Sequence, residues 1–425
     1  MRAVRKPRRA AGAVAAALVL AVAFSGCSAP EPTVELPTQV EGAFADQTQQ
    51  LLSDAVTHAM GTIGATGAVV GVWAPWSGSW VSGVGTQTPG GAAVTTDMPF
   101  RIGQLTRPMT CDLLYSAVDD GLVELDASVS QYVSGVADLK DVTLEQLCDG
   151  TSGIGSYAGK LRPVWTKNPQ RVWNARELAS YGLGQPRSTE PGEKFVSSDA
   201  NYVLLGLAME RVMGGSARAL LQEHVAEPLD LTATRLPAGA AAPVAGGMTG
   251  LTLEKDEAGA WMCAEPVDVS AISASIGFTD AGAVSTVDDM RQYVQALATG
   301  ALLSEQLAES RFADAKPLSD SAPSWLTTAG GAVIAGSLVG NYGSMPGYAT
   351  AAFADPETGL TVVVALNNSV RGAAPAQELA WELAAIASKA PAASGETAPE
   401  AGLPWTPEQY REQLTAKAVC APPAE

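Results

Sequence analysis

Hydrophobic positions along this chain change period several times. Over residues 44–60 they recur at helical spacing. Gly67-Ala-Val-Val-Gly-Val-Trp73 and Ser79-Trp-Val-Ser-Gly-Val84 are short apolar or alternating runs joined at Pro75-Trp76-Ser77-Gly78, which predicts two strands and a turn. From about residue 104 to 299 a helical period dominates, clearest over 104–120, 201–212 and 286–298. Strand patterns return at 349–354 and 360–366, around the turn Asp355-Pro-Glu-Thr-Gly359. A further helical pattern covers 373–389. Strands at both ends with helices between them predict that the ends meet in one sheet. The expected fold is α/β (α+β), an antiparallel sheet flanked by terminal helices with an inserted helical subdomain. The segment 390–404 is rich in Pro, Ala and Gly and reads as a linker, and 405–425 as a C-terminal tail with one short helix.

The front of the chain reads as an export signal over residues 1–26. Arg2, Arg5, Lys6, Arg8 and Arg9 form a basic start without an acid. The apolar run that follows, 10–24, suits a signal-peptide core and is short for a bilayer span. It ends in Phe24-Ser25-Gly26-Cys27, similar to a lipobox, in which Cys27 is lipidated. The expected location is the outer face of the cytoplasmic membrane, held by a lipid anchor only; the alternative is a secreted protein. Residues 27–43 then read as a tether.

Charge and cysteines narrow the functional classes. The signal holds five of the 26 basic residues and none of the 44 acidic ones, which leaves 21 against 44, a net charge of −23. Such a chain, without basic clusters, is a poor nucleic-acid binder. Beside Cys27, four cysteines remain: Cys111, Cys148, Cys263 and Cys420. An even set in an exported protein favours two disulfides, with three pairings open. No C-x-x-C occurs, and His58 and His224 lie in helical patterns away from any cysteine, so neither a metal site nor a cofactor is expected.

Several phrases occur together in one order: Met98-Pro-Phe-Arg-Ile-Gly103, Asp120-Gly-Leu-Val-Glu-Leu-Asp126, Val142-Thr-Leu-Glu-Gln-Leu147, Thr151-Ser-Gly153, Pro191-Gly-Glu-Lys-Phe195, Asn201-Tyr-Val-Leu-Leu-Gly206, Ala283-Val-Ser-Thr286 and Pro346-Gly-Tyr348. On these the chain resembles the serine β-lactamase and penicillin-binding-protein family, of the class C β-lactamase, D-Ala-D-Ala carboxypeptidase and esterase type. The resemblance implies one such domain over residues 44–389. It also implies the pairings Cys111–Cys148 and Cys263–Cys420, each local in that fold.

The chemistry of that family needs a serine followed one helical turn later by a lysine, S-x-x-K. Here Gln104-Leu-Thr-Arg107 follows Arg101-Ile-Gly103. A carboxamide is not a useful nucleophile, and a guanidinium stays protonated and cannot act as a base. None of the nine lysines has a serine three residues before it. The family's Y-x-N falls on Ser197 and Asp199, and its K-T-G or H-x-G on Asn341-Tyr342-Gly343, followed by Ser344. A serine hydroxyl is too weak an acid and too short to replace the phenol. Gly343 matches, which leaves room for a backbone oxyanion donor.

The sequence therefore predicts a pseudoenzyme whose former catalytic positions, with Tyr342, Gly343 and Ser344, line a binding site. A peptidoglycan-derived or other polar ligand, or a partner protein of the envelope, is what the resemblance offers as its occupant. The rival readings are a hydrolase with a relocated nucleophile at Thr106, Ser197 or Ser198, and a structural domain whose pocket has closed. Where the family pairs Lys with Asn, this chain carries Arg107 and Asp199. A buried Arg is costly to leave unpaired, so an Arg107–Asp199 ion pair is expected, with Gln104 and Asn341 adding neutral hydrogen-bonding groups at the mouth.

Overall fold

A computed structural model describes residues 36–135, 139–237, 239, 241–400 and 402–421. The export signal, Cys27 and the first part of the tether lie outside the described residues. Among the described residues no helix is long and apolar enough to cross a membrane.

Eight strands form one antiparallel sheet: β1 Gly67–Ala74, β2 Gly78–Gly85, β3 Lys316–Pro317, β4 Leu326–Ala329, β5 Ala332–Ala335, β6 Leu338–Met345, β7 Tyr348–Ala354 and β8 Thr361–Leu366. Their order is β2-β1-β8-β7-β6-β5-β4-β3. The first and last thirds of the chain meet where β1 pairs with β8, Val70 opposite Val364. The sheet is covered on both faces, so its central strands are apolar throughout rather than alternating with polar residues. On β8, Val362, Val364 and Leu366 face one core and Val363 and Ala365 the other.

The first core lies under the terminal helices Asp46–Ile63 and Ala374–Ala387. The second holds the helical subdomain, built around Thr106–Asp119 and Asp199–Met213. The C-terminal segment is tied to the first core at Ala390 and again over residues 405–414, while most of the stretch between them is exposed. Trp76 Nε1 donates to the Ala390 carbonyl at 3.2 Å, and Trp405, Tyr410 and Leu414 are buried. The helix Pro407–Ala416 thus docks on the domain, because Trp405 stacks on Trp381 with ring centroids 5.3 Å apart. Both expected disulfides, Cys111–Cys148 and Cys263–Cys420, are present.

The sequence reading placed β1, β2, β7, β8 and the five long helical patterns, apart from end residues. It assigned no strand to 316–335. β3 to β5 are two to four residues long, too short for a period to register, and their pairing one after another outward from β6 is what makes them strands.

Candidate functional site

The site lies where the subdomain meets β6. A 3-10 turn, Gly103–Leu105, leads into the helix Thr106–Asp119, so Gln104 and Arg107 project from the same end. The turn presses on β6 closely. A Cβ on Gly343 would come within 2.2 Å of the Gln104 backbone nitrogen, and one on Gly103 within 2.7 Å of the Ser344 nitrogen. Gly103 also has a φ of 58°, a left-handed conformation that suits glycine.

That approach delivers Gln104 onto the strand's donor. Ser344 N–H donates to Gln104 Oε1 at 2.7 Å. The backbone donor that Gly343 was expected to leave open is therefore taken by the chain's own carboxamide, which corrects the expectation of a free oxyanion donor. Gln104 lines the cavity with its side-chain oxygen turned onto the strand. Asn341 is turned to the scaffold as well: its Nδ2 donates to the Gly331 carbonyl at 2.8 Å, and its Oδ1 accepts from Tyr342 N–H.

Arg107 is buried, and each of its nitrogens has a partner. Nη2 donates to Asp199 Oδ1 at 3.0 Å, so the expected ion pair is present. Nη1 donates to Ser197 Oγ at 3.1 Å, and Nε donates to Asp280 Oδ1 at 2.8 Å. The Tyr202 ring lies 4.6 Å from the guanidinium carbon. Burial opposes the charge on Arg107, but Asp280, Tyr202 and Asp199 outweigh it and hold the guanidinium firmly protonated. Asp199 also accepts from Ala158 N–H at 3.0 Å and from the Ser156 hydroxyl through its other oxygen.

Asp280 was missed in the sequence. It sits in a one-turn helix, Phe278–Ala281, within the small and apolar run Ile276-Gly-Phe-Thr-Asp-Ala-Gly-Ala-Val284. A lone acid in such a run signals a buried charge that needs a partner. Phe278, two residues before it, has a φ of 40°, uncommon for a bulky residue. Burial, then the nearby Asp199 carboxylate, push the Asp280 carboxyl up to about 8, against the pull of Arg107. The buried guanidinium thus faces two carboxyl groups, and Asp280 is the one that burial drives towards its protonated form.

These groups floor a cavity of about 490 Å³, which Gln104, Arg107, Ser197, Asp199, Asn341 and Tyr342 all line. The closed-pocket reading is thereby corrected. The relocated nucleophiles fare differently from one another. Thr106 and Ser198 are buried and donate to the carbonyls of Gly103 and Gly155, at 2.7 and 2.9 Å. Ser197 faces a guanidinium, not a base. Ser156, which lies outside the family's motifs, lines the cavity with its hydroxyl on Asp199. A carboxylate already held by Arg107 and a backbone N–H is a weak base for a serine hydroxyl. Among the described residues no group of three or more His, Cys, Asp or Glu is placed to hold a metal ion.

Comparison with known proteins places this geometry. Residues 52–386 match the model of the beta-lactamase family. Protein flp of Staphylococcus aureus (strain MW2) is 27% identical over 140 residues, which are 32% of this chain and 27% of that protein. The chain spans about a third of the length of the curated relatives it matches. Among solved structures, a D-stereospecific amidohydrolase from Streptomyces sp. superposes with a TM-score of 0.66 at 23% identity, over 76% of this chain and 93% of that one. The octameric penicillin-binding-protein homologue from Pyrococcus abyssi does so with a TM-score of 0.64 at 20% identity, over 80% and 77%.

Proposed function

This chain belongs to the beta-lactamase family, and we propose that it is a member that does not acylate and uses the former catalytic cavity to bind a ligand. The observation that carries the reading is the lock on Arg107. In a working site the residue one turn after the nucleophile takes or relays a proton. Here that residue is a guanidinium bonded to Asp199, Ser197 and Asp280 at once. Gln104 holds the nucleophile's position and the strand's donor together. The cavity stays open, with polar side chains at its floor, as a binding site requires. Export and a lipid anchor on Cys27 would place it at the cell envelope, facing a peptidoglycan-derived or other polar ligand, or a partner protein.

Turnover assays test the proposal: nitrocefin and D-phenylalanine amide, each incubated with the purified protein. No hydrolysis above a protein-free control is expected from either. Saturable turnover that a Ser156→Ala variant abolishes would instead establish the second reading, a hydrolase with a non-standard nucleophile. The Ser156–Asp199 contact is what favours that reading.

A further inference from the structure

We infer that the cavity continues past Arg162 into a second, mostly apolar pocket, and that the two together take a small amphiphilic anion, a carboxylate bearing an apolar substituent. The inference rests on the non-acylating reading only in treating the Arg107 cluster as a fixed floor.

Charge argues first. The guanidinium on the floor is already bonded to Asp199 and Asp280 and is not available to a ligand. Arg162, in the middle of the helix Ala158–Lys167, lines the cavity and is exposed. Its guanidinium has no ion pair or hydrogen bond among the described residues. It is thus a cation left over at a concave site. The chain as a whole is strongly acidic. That field is screened beyond about 8 Å at physiological ionic strength, so Arg162 acts on a ligand locally. A guanidinium fork recognises a carboxylate bidentately.

Shape argues second. Arg162 also lines a neighbouring pocket of about 160 Å³ walled by Leu253, Trp261, Val269, Met345 and Val370. An apolar protein cavity of roughly 150 Å³ accepts a benzene ring, so a ring-sized group fits. Gln104 lines the first pocket and Ser344 the second, and Ser344 N–H donates to Gln104 Oε1 between them. With that donor taken, a ligand carboxylate has Arg162 as its available cationic partner.

Preorganisation argues third. Trp261 lies two residues from Cys263, which is bonded to Cys420. Its ring is also covered by Lys255 Nζ, 4.6 Å from the centroid. The apolar wall is therefore pinned from outside the site, which lowers the ordering cost of binding.

Calorimetric titration of the full chain with 4-phenylbutyrate, butyrate and 4-phenyl-1-butanol tests this. Phenylbutyrate is expected to bind saturably, and the other two at least about tenfold more weakly, a step of about 1.4 kcal/mol each. Arg162→Gln should weaken phenylbutyrate about tenfold without changing the alcohol, and Arg162→Lys should restore part of the loss. Trp261→Ala should weaken both ring-bearing compounds alike. Equal affinity for the acid and the alcohol, an Arg162→Gln variant that binds as well as the wild type, or no saturable binding would each overturn the assignment. Those outcomes leave the non-acylating reading standing, because that reading fails only on turnover or a covalent adduct.

Discussion

Removing Asp199 should be far less damaging than one buried ion pair suggests, because Asp280 holds a counter-charge in reserve. Arg107 is 7% exposed and bonds both carboxyl groups at 2.8 to 3.0 Å. In Asp199→Asn the repulsion that helps keep the Asp280 proton in place is gone, so Asp280 ionises and answers Arg107 alone. Asparagine still accepts from Arg107, so the expected cost is about 1–2 kcal/mol, that of weakened charge-assisted hydrogen bonds. Asp280→Asn should cost about as much or less, since Asp199 remains. The double variant leaves a buried guanidinium without a counter-charge, a loss of about 3–5 kcal/mol. The coupling in the double-mutant cycle should therefore be unfavourable by about 1–3 kcal/mol beyond the sum of the singles. Urea unfolding at pH 7 under non-reducing conditions measures all four proteins. Additive losses, or a single Asp199→Asn loss as large as that of the double variant, would refute the shared-counterion account.

The protonated Asp280 makes a pH prediction with a definite sign. Its folded-state value lies above the ordinary aspartate range, so the folded protein holds a proton that the unfolded chain releases. Its contribution to stability is then fully present below about pH 4 and is lost as pH rises towards 8. Melting curves should show the wild type losing stability relative to Asp280→Asn across that window; parallel curves contradict the assignment. Replacing Cys263 and Cys420 by serine should cost about 5 kcal/mol by loop closure over 157 residues, against about 4 for Cys111 and Cys148 over 37, read from chemical unfolding. An undetectable loss at either would show that the bridge does not constrain the unfolded chain. Trp405→Ala should cost about 3–5 kcal/mol if the terminal helix is part of the core, and near zero if 405–421 is a detached tail.

The fold was legible because its longest elements carry their periods openly. The run 67–73 and the helical face of 286–298 each announce an element that burial then requires. The family phrases placed Gln104, Arg107, Ser197, Asp199 and Asn341 around one cavity. Other features were not legible. Asp280 lies outside any motif, and only the three-dimensional path through Phe278 brings it to Arg107. The capture of Ser344 N–H by Gln104 depends on a side-chain rotamer and on the close approach that Gly103 and Gly343 allow, which spacing does not encode. The docking of 405–416 was hidden for a different reason. A Pro/Ala-rich stretch reads as a spacer, whereas Trp405, Tyr410 and Leu414 decide where the chain after it goes.

The proposed loss of acylation rests on the residues that occupy the first and second motifs. Its most direct test is the intact mass of the protein after prolonged incubation with benzylpenicillin and, separately, with a fluorophosphonate. The account predicts an unchanged mass in both. It further predicts a benzylpenicilloyl adduct once Gln104→Ser, Arg107→Lys, Ser197→Tyr and Asp199→Asn are combined. A stoichiometric adduct on the wild-type chain with either reagent would contradict it.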